Sequence, residues 1–295
     1  MVPAPRPVAG APGVELDDAW PAALRRRVER LAADPAGVLV RRDDHDDPGL
    51  VAAVRAAWDL LPSGHGGLPL LGVRVDDDAR ARVTGPTVSA AATALLLARE
   101  GLELLVTAWL LACSDDLVVL RRGGAAGQPG VLTAELLAVA FPSGWPPRRR
   151  AGASLLELHA PVAGGDRLQR AAPALSKALL TKGPLRQHVW GLDPDGRLDR
   201  DPSAPDAPSR ADPGDPADWW LRVERQTSVP LPALDRALFT IRPHLVPLTA
   251  LEPSQCATLA AAVASMNPEA RAYKGISAIA DDLVRWLQLS VGSSG

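Results

Sequence analysis

Two late stretches decide the fold: Trp219 to Thr227, WWLRVERQT, and Ala237 to Leu245, ALFTIRPHL. In both, apolar and polar side chains roughly alternate, which is the period of an extended strand with one face on a core. If the first is extended, Arg222, Glu224 and Gln226 stand on one face and Arg225 on the other. Such a row is costly to bury unpaired. Either it is a solvated edge, or its guanidinium forks hold an anionic ligand such as a carboxylate. Thr240-Ile241-Arg242-Pro243-His244 adds a second arginine near this sheet.

Outward from these strands, Arg186 to Leu192 reads as another strand. Leu117 to Leu120, entering the turn Arg121-Arg122-Gly123-Gly124, reads as a hairpin with Val131 to Phe141, which ends at Pro142-Ser143-Gly144-Trp145-Pro146-Pro147. Asp193 to Asp218 holds eight aspartates and six prolines with no apolar period, so a poorly ordered surface loop is expected. Residues 1–15 are rich in Pro and Gly and are expected to be disordered, leaving one domain over residues 16–290.

Helical spacing predicts helices over Trp20 to Ala33, over Leu50 to Leu61 behind the cap Asp47-Pro48, and over Thr87 to Cys113 with a break near Gly101. Further helices are predicted over Arg148 to His159, Arg167 to Thr181, Pro253 to Ser265 and Pro268 to Leu289. This order gives an α+β, mixed α/β chain: a curved antiparallel sheet covered by helices, with helical additions at both ends.

Composition bounds the chemistry. The 295 residues are 47% hydrophobic and 22% charged, with 32 basic against 34 acidic side chains, so no global field favours nucleic acid or an anionic membrane. No apolar run is long and uncharged enough to serve as a signal or a span, and a cytoplasmic protein is expected. Two cysteines, Cys113 and Cys256, far apart in apolar helical patterns, build neither a disulfide framework nor a zinc site. No dinucleotide fingerprint or phosphate loop is present. Eight of the eleven aromatic residues are Trp, which suggests that some line a cavity, although a core Trp with its N–H satisfied is the commoner case.

Asp43-Asp44-His45-Asp46-Asp47 would attract a hard cation, but five consecutive residues converge poorly, and a solvated loop before a helix start is favoured. His65, between glycines, reads as a neutral loop residue. His188 and His244 lie in strand-like segments without zincin spacing. His159 closes the helical pattern Ala153 to His159 and precedes Ala160-Pro161-Val162. A histidine so held can ligate a metal or haem iron through one ring nitrogen. On spacing alone, a hydrogen-bonded histidine at a helix end is the commoner outcome.

Five motifs occur in order: Phe141-Pro142-Ser143-Gly144-Trp145, Leu158-His159-Ala160-Pro161-Val162, Leu221-Arg222-Val223-Glu224-Arg225-Gln226-Thr227, Leu238-Phe239-Thr240-Ile241-Arg242 and Ala272-Tyr273-Lys274-Gly275. In this set the chain resembles the haem-dependent oxidative N-demethylase family, a likeness that spans roughly Asp115 to Leu287. The resemblance implies a PAS-like α/β fold that binds haem b and uses dioxygen (O2) and external electrons to oxidise an amine nitrogen. Relatives are also associated with N-oxygenation of amino-acid side-chain amines in bacterial biosynthetic pathways.

Carried onto this sequence, the resemblance makes His159 the proximal iron ligand, with Glu157 or a backbone carbonyl orienting its other nitrogen. Arg225, Gln226 and Arg242 become contacts to haem propionates or a substrate carboxylate, with Arg225 and Glu224 as catalytic candidates and Glu224 binding a substrate ammonium. Tyr273 and Lys274 become pocket or propionate contacts. No flavin or iron–sulfur motif is present, so electrons would come from a separate reductase or a small donor. The expected partners are thus a small-molecule amine and a reductase, with no nucleic acid or membrane; a homodimer is compatible with the sequence. A haem-binding PAS-type sensor without turnover, or a protein retaining only the fold, are the alternatives. The chain departs from the family pattern at Gln187-His188-Val189-Trp190, Ser228 to Pro232 and Pro243-His244.

Overall fold

A computed structural model describes residues 5–8, 13–14, 16–42, 47–62, 67–123, 131–154, 157–158, 165–204 and 214–292, without the side chains of 165–169 and 291–292. Strand β1 (Arg6–Pro7) precedes helices α1 (Trp20–Ala33) and α2 (Pro35–Val38), strand β2 (Leu39–Arg41) and helix α3 (Pro48–Trp58). A small ribbon, β3 (Val73–Val75) with β4 (Ala81–Val83), leads into α4 (Ala90–Leu97) and α5 (Gly101–Ala112). Strands β5 (Asp116–Arg122) and β6 (Leu132–Ala138) follow, then α6 (Gly165–Thr181), β7 (Leu185–Asp193), β8 (Trp220–Leu231), β9 (Arg236–Pro247), α7 (Pro253–Ala264), α8 (Pro268–Tyr273) and α9 (Ala280–Gly292).

The alternating stretches are strands, and they form the longest hairpin. β8 pairs with β9 from Trp220↔Pro247 to Leu231↔Arg236, closed by a short turn in which Asp235 takes the left-handed conformation at φ 53°. Among the described residues the large sheet has seven strands in the order β1-β7-β8-β9-β5-β6-β2, every neighbour antiparallel. This is the expected α+β class.

The two faces of this sheet carry different cores. Leu117, Val119, Leu136, Ala138 and Leu238 pack with the buried sides of α1, α3 and α5. Val118, Leu120, Ala134, Leu137 and Val139 point the other way and pack with Leu179 and Leu180 of α6. A third cluster joins Leu192, Trp219 and Leu248 to α7 and α9 through Cys256, Val263, Leu283 and Leu287. Nearly every side chain of α5 is buried, which explains its uninterrupted apolar sequence.

Several boundaries differ from the sequence reading. The break near Gly101 is real, since Gly101 has φ 59°, a conformation that glycine adopts without a Cβ penalty. The segment from Pro268 is not one helix: α8 stops before Gly275, at φ 67°, and α9 begins at Ala280. The segment from Arg148 is not one helix either. A single 3-10 turn over Pro147–Arg149 is followed by a fresh start at Ser154. There Ser154 N donates to Glu157 Oε2 at 2.6 Å and Glu157 N donates to Ser154 Oγ at 3.2 Å, a reciprocal cap. In the proline-rich start, Arg6 and Pro7 pair with Arg186 and Leu185. In the aspartate-rich segment, Arg200 is buried between Asp193, at 3.1 Å, and Asp195, at 2.6 Å. Residues 205–213 lie outside the described residues, as do Asp43 to Asp46.

Candidate functional site

The register of β7, β8 and β9 sorts the candidate residues between the two faces. Arg225 lies directly opposite Arg242, and Thr227 opposite Thr240, which is itself opposite Leu117 on the face covered by α1, α3 and α5. Glu224 and Gln226 stand on the other face, where Gln226 is opposite Ile241 and Ser228 is opposite Phe239. The alternation read from the sequence therefore holds, and it divides the residues that the resemblance had grouped.

On the first face the arginines are structural in their contacts. Two like charges opposed across a ladder repel unless a counter-charge intervenes. Asp115 supplies one, its Oδ1 being 3.6 Å from Arg225 Nη2. Arg242 donates to Ser114 O at 3.2 Å and to Asp17 Oδ2 at 2.6 Å. Arg27, fully buried in α1, completes the cluster: it donates to the carbonyls of Leu110, Ser114 and Asp115 and to Asp116 Oδ1 at 2.8 Å. Burial pushes the Asp115 carboxyl up to about 6, opposed by Arg225, Arg242 and Arg27. Sequence reasoning missed Arg27 and the Asp115-Asp116 pair, because a polar residue in an amphipathic helix reads as exposed until the chain returns to it.

On the second face the polar groups converge on Glu224. The Ser143 hydroxyl donates to Oε1, and Gln226 Nε2 donates to Oε2 at 2.8 Å. Gln187, directly opposite Gln226 on β7, donates from Nε2 to Gln226 Oε1 at 2.7 Å. Arg222 Nε is 3.7 Å from Glu224 Oε1. The same guanidinium donates to Phe141 O at 2.9 Å and Leu198 O at 3.0 Å, so it ties the turn at Phe141-Pro142-Ser143 to β8. Asp116 holds that turn from beneath by accepting from the N–H groups of Ala140 and Phe141 at 3.1 and 3.0 Å. Two of the quoted motifs are thus interlocked.

Beside this polar row lies an apolar, half-exposed patch. Phe239 and Ile241 of β9, Trp145, Leu158 and Leu175 of α6 pack against the second core without being fully buried. Tyr273 is 45% exposed. Lys274 donates to Trp190 O at 2.5 Å and lies over the Trp190 ring at 4.3 Å. Burial lowers its ammonium from the usual lysine range, while the Glu224 charge opposes that shift.

His159 lies outside the described residues, as do His45 and His65. Its chain neighbour Leu158 belongs to the apolar patch on the Glu224 face. Glu157 spends one carboxylate oxygen on Ser154 N, a bond that lowers its pKa. His188 and His244 occupy the opposite face, at register with Arg225 and Val223. Neither thiol suits iron: burial pushes Cys113 up to about 12 and also raises Cys256, and only a thiolate ligates. Among the described residues no group of three or more His, Cys, Asp or Glu side chains could hold a metal ion, and no helix is long and apolar enough to cross a membrane. A shallow depression lined by Ala257, Ala260, Ala261, Ala264 and Gln288 contains none of these groups.

The residues present fit a haem group in kind: an apolar patch, an imidazole next to it in sequence, and no competing thiolate. One family model matches the chain, over residues 6–284, and it is described as haem-dependent oxidative N-demethylase, alpha subunit-like. No curated protein matches.

Proposed function

Since the chain belongs to the haem-dependent oxidative N-demethylase, alpha subunit-like family, we propose that it is a haem-dependent oxidoreductase acting on the amine nitrogen of a small molecule. Its membership supports haem dependence and oxidative chemistry, and the geometry of the Glu224 face supports an amine. The carrying observation is that Glu224 places a carboxylate, held by Ser143 and Gln226, beside the apolar patch of Phe239 and Ile241.

His159 is the residue that would ligate the iron, and Phe239, Ile241, Trp145 and Leu175 would pack on the macrocycle. Haem b with dioxygen would supply the redox chemistry, with electrons from a separate reductase or small donor. The protein's own residues do the rest. Glu224 binds the substrate ammonium, accepting its N–H groups on the carboxylate oxygens and so orienting the nitrogen. Ser143 and Gln226 hold that carboxylate in place, and the aromatic and aliphatic side chains exclude water, which strengthens the ion pair. Arg225 and Arg242, committed to Asp115, Ser114 and Asp17, tie β8 and β9 to the α5–β5 junction and to Asp17 behind the site.

Both oxidative N-demethylation and N-oxygenation are compatible with this arrangement. The test is turnover of an amine panel, amino acids included, by haem-loaded protein with reductant and dioxygen. Release of formaldehyde identifies demethylation and a hydroxylated or more oxidised nitrogen identifies oxygenation. Haem binding without any product would leave a non-catalytic haem protein. His159→Ala should lose iron ligation, and an unchanged haem content and spectrum would remove that assignment.

A further inference from the structure

Glu224 is an acceptor, and what faces it must donate. A carboxamide can present either its NH2 or its oxygen to a neighbour, and nothing within Gln226 itself decides which. Turned the wrong way, Gln226 would set its oxygen against Glu224 Oε2 and repel it.

Glu224 favours the NH2, and that choice is secured from one strand away. Gln187 lies directly opposite Gln226 in the β7–β8 ladder, and its Nε2 donates to Gln226 Oε1 at 2.7 Å. With that oxygen engaged, Gln226 Nε2 is directed at Glu224 Oε2, 2.8 Å away. Ser143 closes the opposite end on Oε1. Each carboxylate oxygen then has one hydrogen-bond donor from the protein, with Arg222 Nε 3.7 Å from Oε1, and accepting capacity left over. The leftover capacity on two adjacent oxygens suits a cation with at least two N–H groups, whereas a quaternary ammonium offers none.

We propose that Gln187 is a positioning residue that secures the orientation of the Gln226 amide and so supports the selectivity of the Glu224 site for ammonium ions carrying several N–H donors. This rests on the reading of Glu224 as the amine site. Gln187 acts through Gln226 and touches no reacting atom.

The experiment uses the full chain labelled with nitrogen-15 and two readouts. The side-chain amide signal of Gln226, assigned by its disappearance in Gln226→Leu, reports orientation; n-butylammonium titrated by calorimetry, with tetramethylammonium beside it, reports selectivity. In the wild type the Gln226 amide protons should be displaced from free-amide shift positions and slow to exchange with solvent. Gln187→Leu should return these signals towards free-amide positions with faster exchange and weaken n-butylammonium about 2- to 10-fold, the loss expected for one neutral hydrogen bond. Tetramethylammonium affinity should be unchanged. Gln187→Met, closer in shape, guards against a packing artefact and should behave like Gln187→Leu. An unaltered Gln226 signal with unaltered n-butylammonium affinity in both variants would overturn the proposal. If the signal shifts as expected but the wild type binds no n-butylammonium, the orientation role stands alone, the Glu224 reading fails, and the selectivity claim falls with it.

Discussion

The Ser143 hydroxyl donates to Glu224 Oε1, joining residues 81 positions apart. That bond fixes the turn after β6 to the middle of β8, on the face that carries Phe239 and Ile241. Arg222 and Asp116 hold the same turn through backbone atoms, so Ser143 is aimed by the fold and not by its own rotamer preference.

If Glu224 is the ammonium acceptor, Glu224→Gln keeps the shape and removes the charge. Amine affinity should fall about 10- to 100-fold, equivalent to about 1.4–2.8 kcal/mol. Haem content should stay at the wild-type level, since no iron ligand is touched. Spectral titration of haem-loaded protein measures both, and equal amine affinity in the variant would exclude Glu224 from the site.

Arg27 is the cation whose loss should cost most stability. It is fully buried, with four acceptors around its guanidinium including Asp116. Arg27→Leu strands a buried carboxylate and three carbonyls, and about 3–5 kcal/mol should be lost. Urea unfolding checks this. A loss under about 1 kcal/mol would show that water enters and replaces the guanidinium.

How much of this was legible in the sequence depends on distance along the chain. The strands of WWLRVERQT and ALFTIRPHL follow from side-chain alternation, and the break at Gly101 from glycine's tolerance of positive φ. The opposition of Arg225 to Arg242 depends on the β8–β9 register, which alternation does not specify, and so their burial against Asp115 and Asp17 was not visible. The three-residue strands β3 and β4 are too short to show a period. Gln187 falls in a strand-like stretch of the sequence, but its role needs the strand beside it.

Asp115 gives a pH dependence with a defined sign. Its carboxyl would titrate near 3.8 in the unfolded chain, whereas burial raises it to about 6 in the folded protein. Between those values the native state binds the proton and the unfolded state does not. The group therefore adds stability as pH falls from about 6 towards 4, and its cost is fully present above 6. Asp115→Asn removes this contribution, so the stability of the variant relative to wild type should rise with pH across that window, by up to about 1.4 kcal/mol per unit. Parallel pH profiles from urea unfolding would contradict the assignment.

Both thiols should be inert in the native state. Cys113 and Cys256 are buried, and burial raises the pKa of each. A disulfide-exchange reagent at mildly alkaline pH should label neither until denaturant is added, when both should react. Rapid labelling of Cys113 in folded protein would mean that the α5–β5 junction opens.

The most direct test of haem dependence is the ultraviolet-visible spectrum of the purified chain, expressed with haem precursor and recorded before and after dithionite and carbon monoxide. A Soret band that shifts on reduction and again on carbon monoxide, without the red shift of a thiolate-ligated haem, is the predicted result. A flat spectrum after haem reconstitution would contradict it and leave a protein that shares the family's fold without its cofactor.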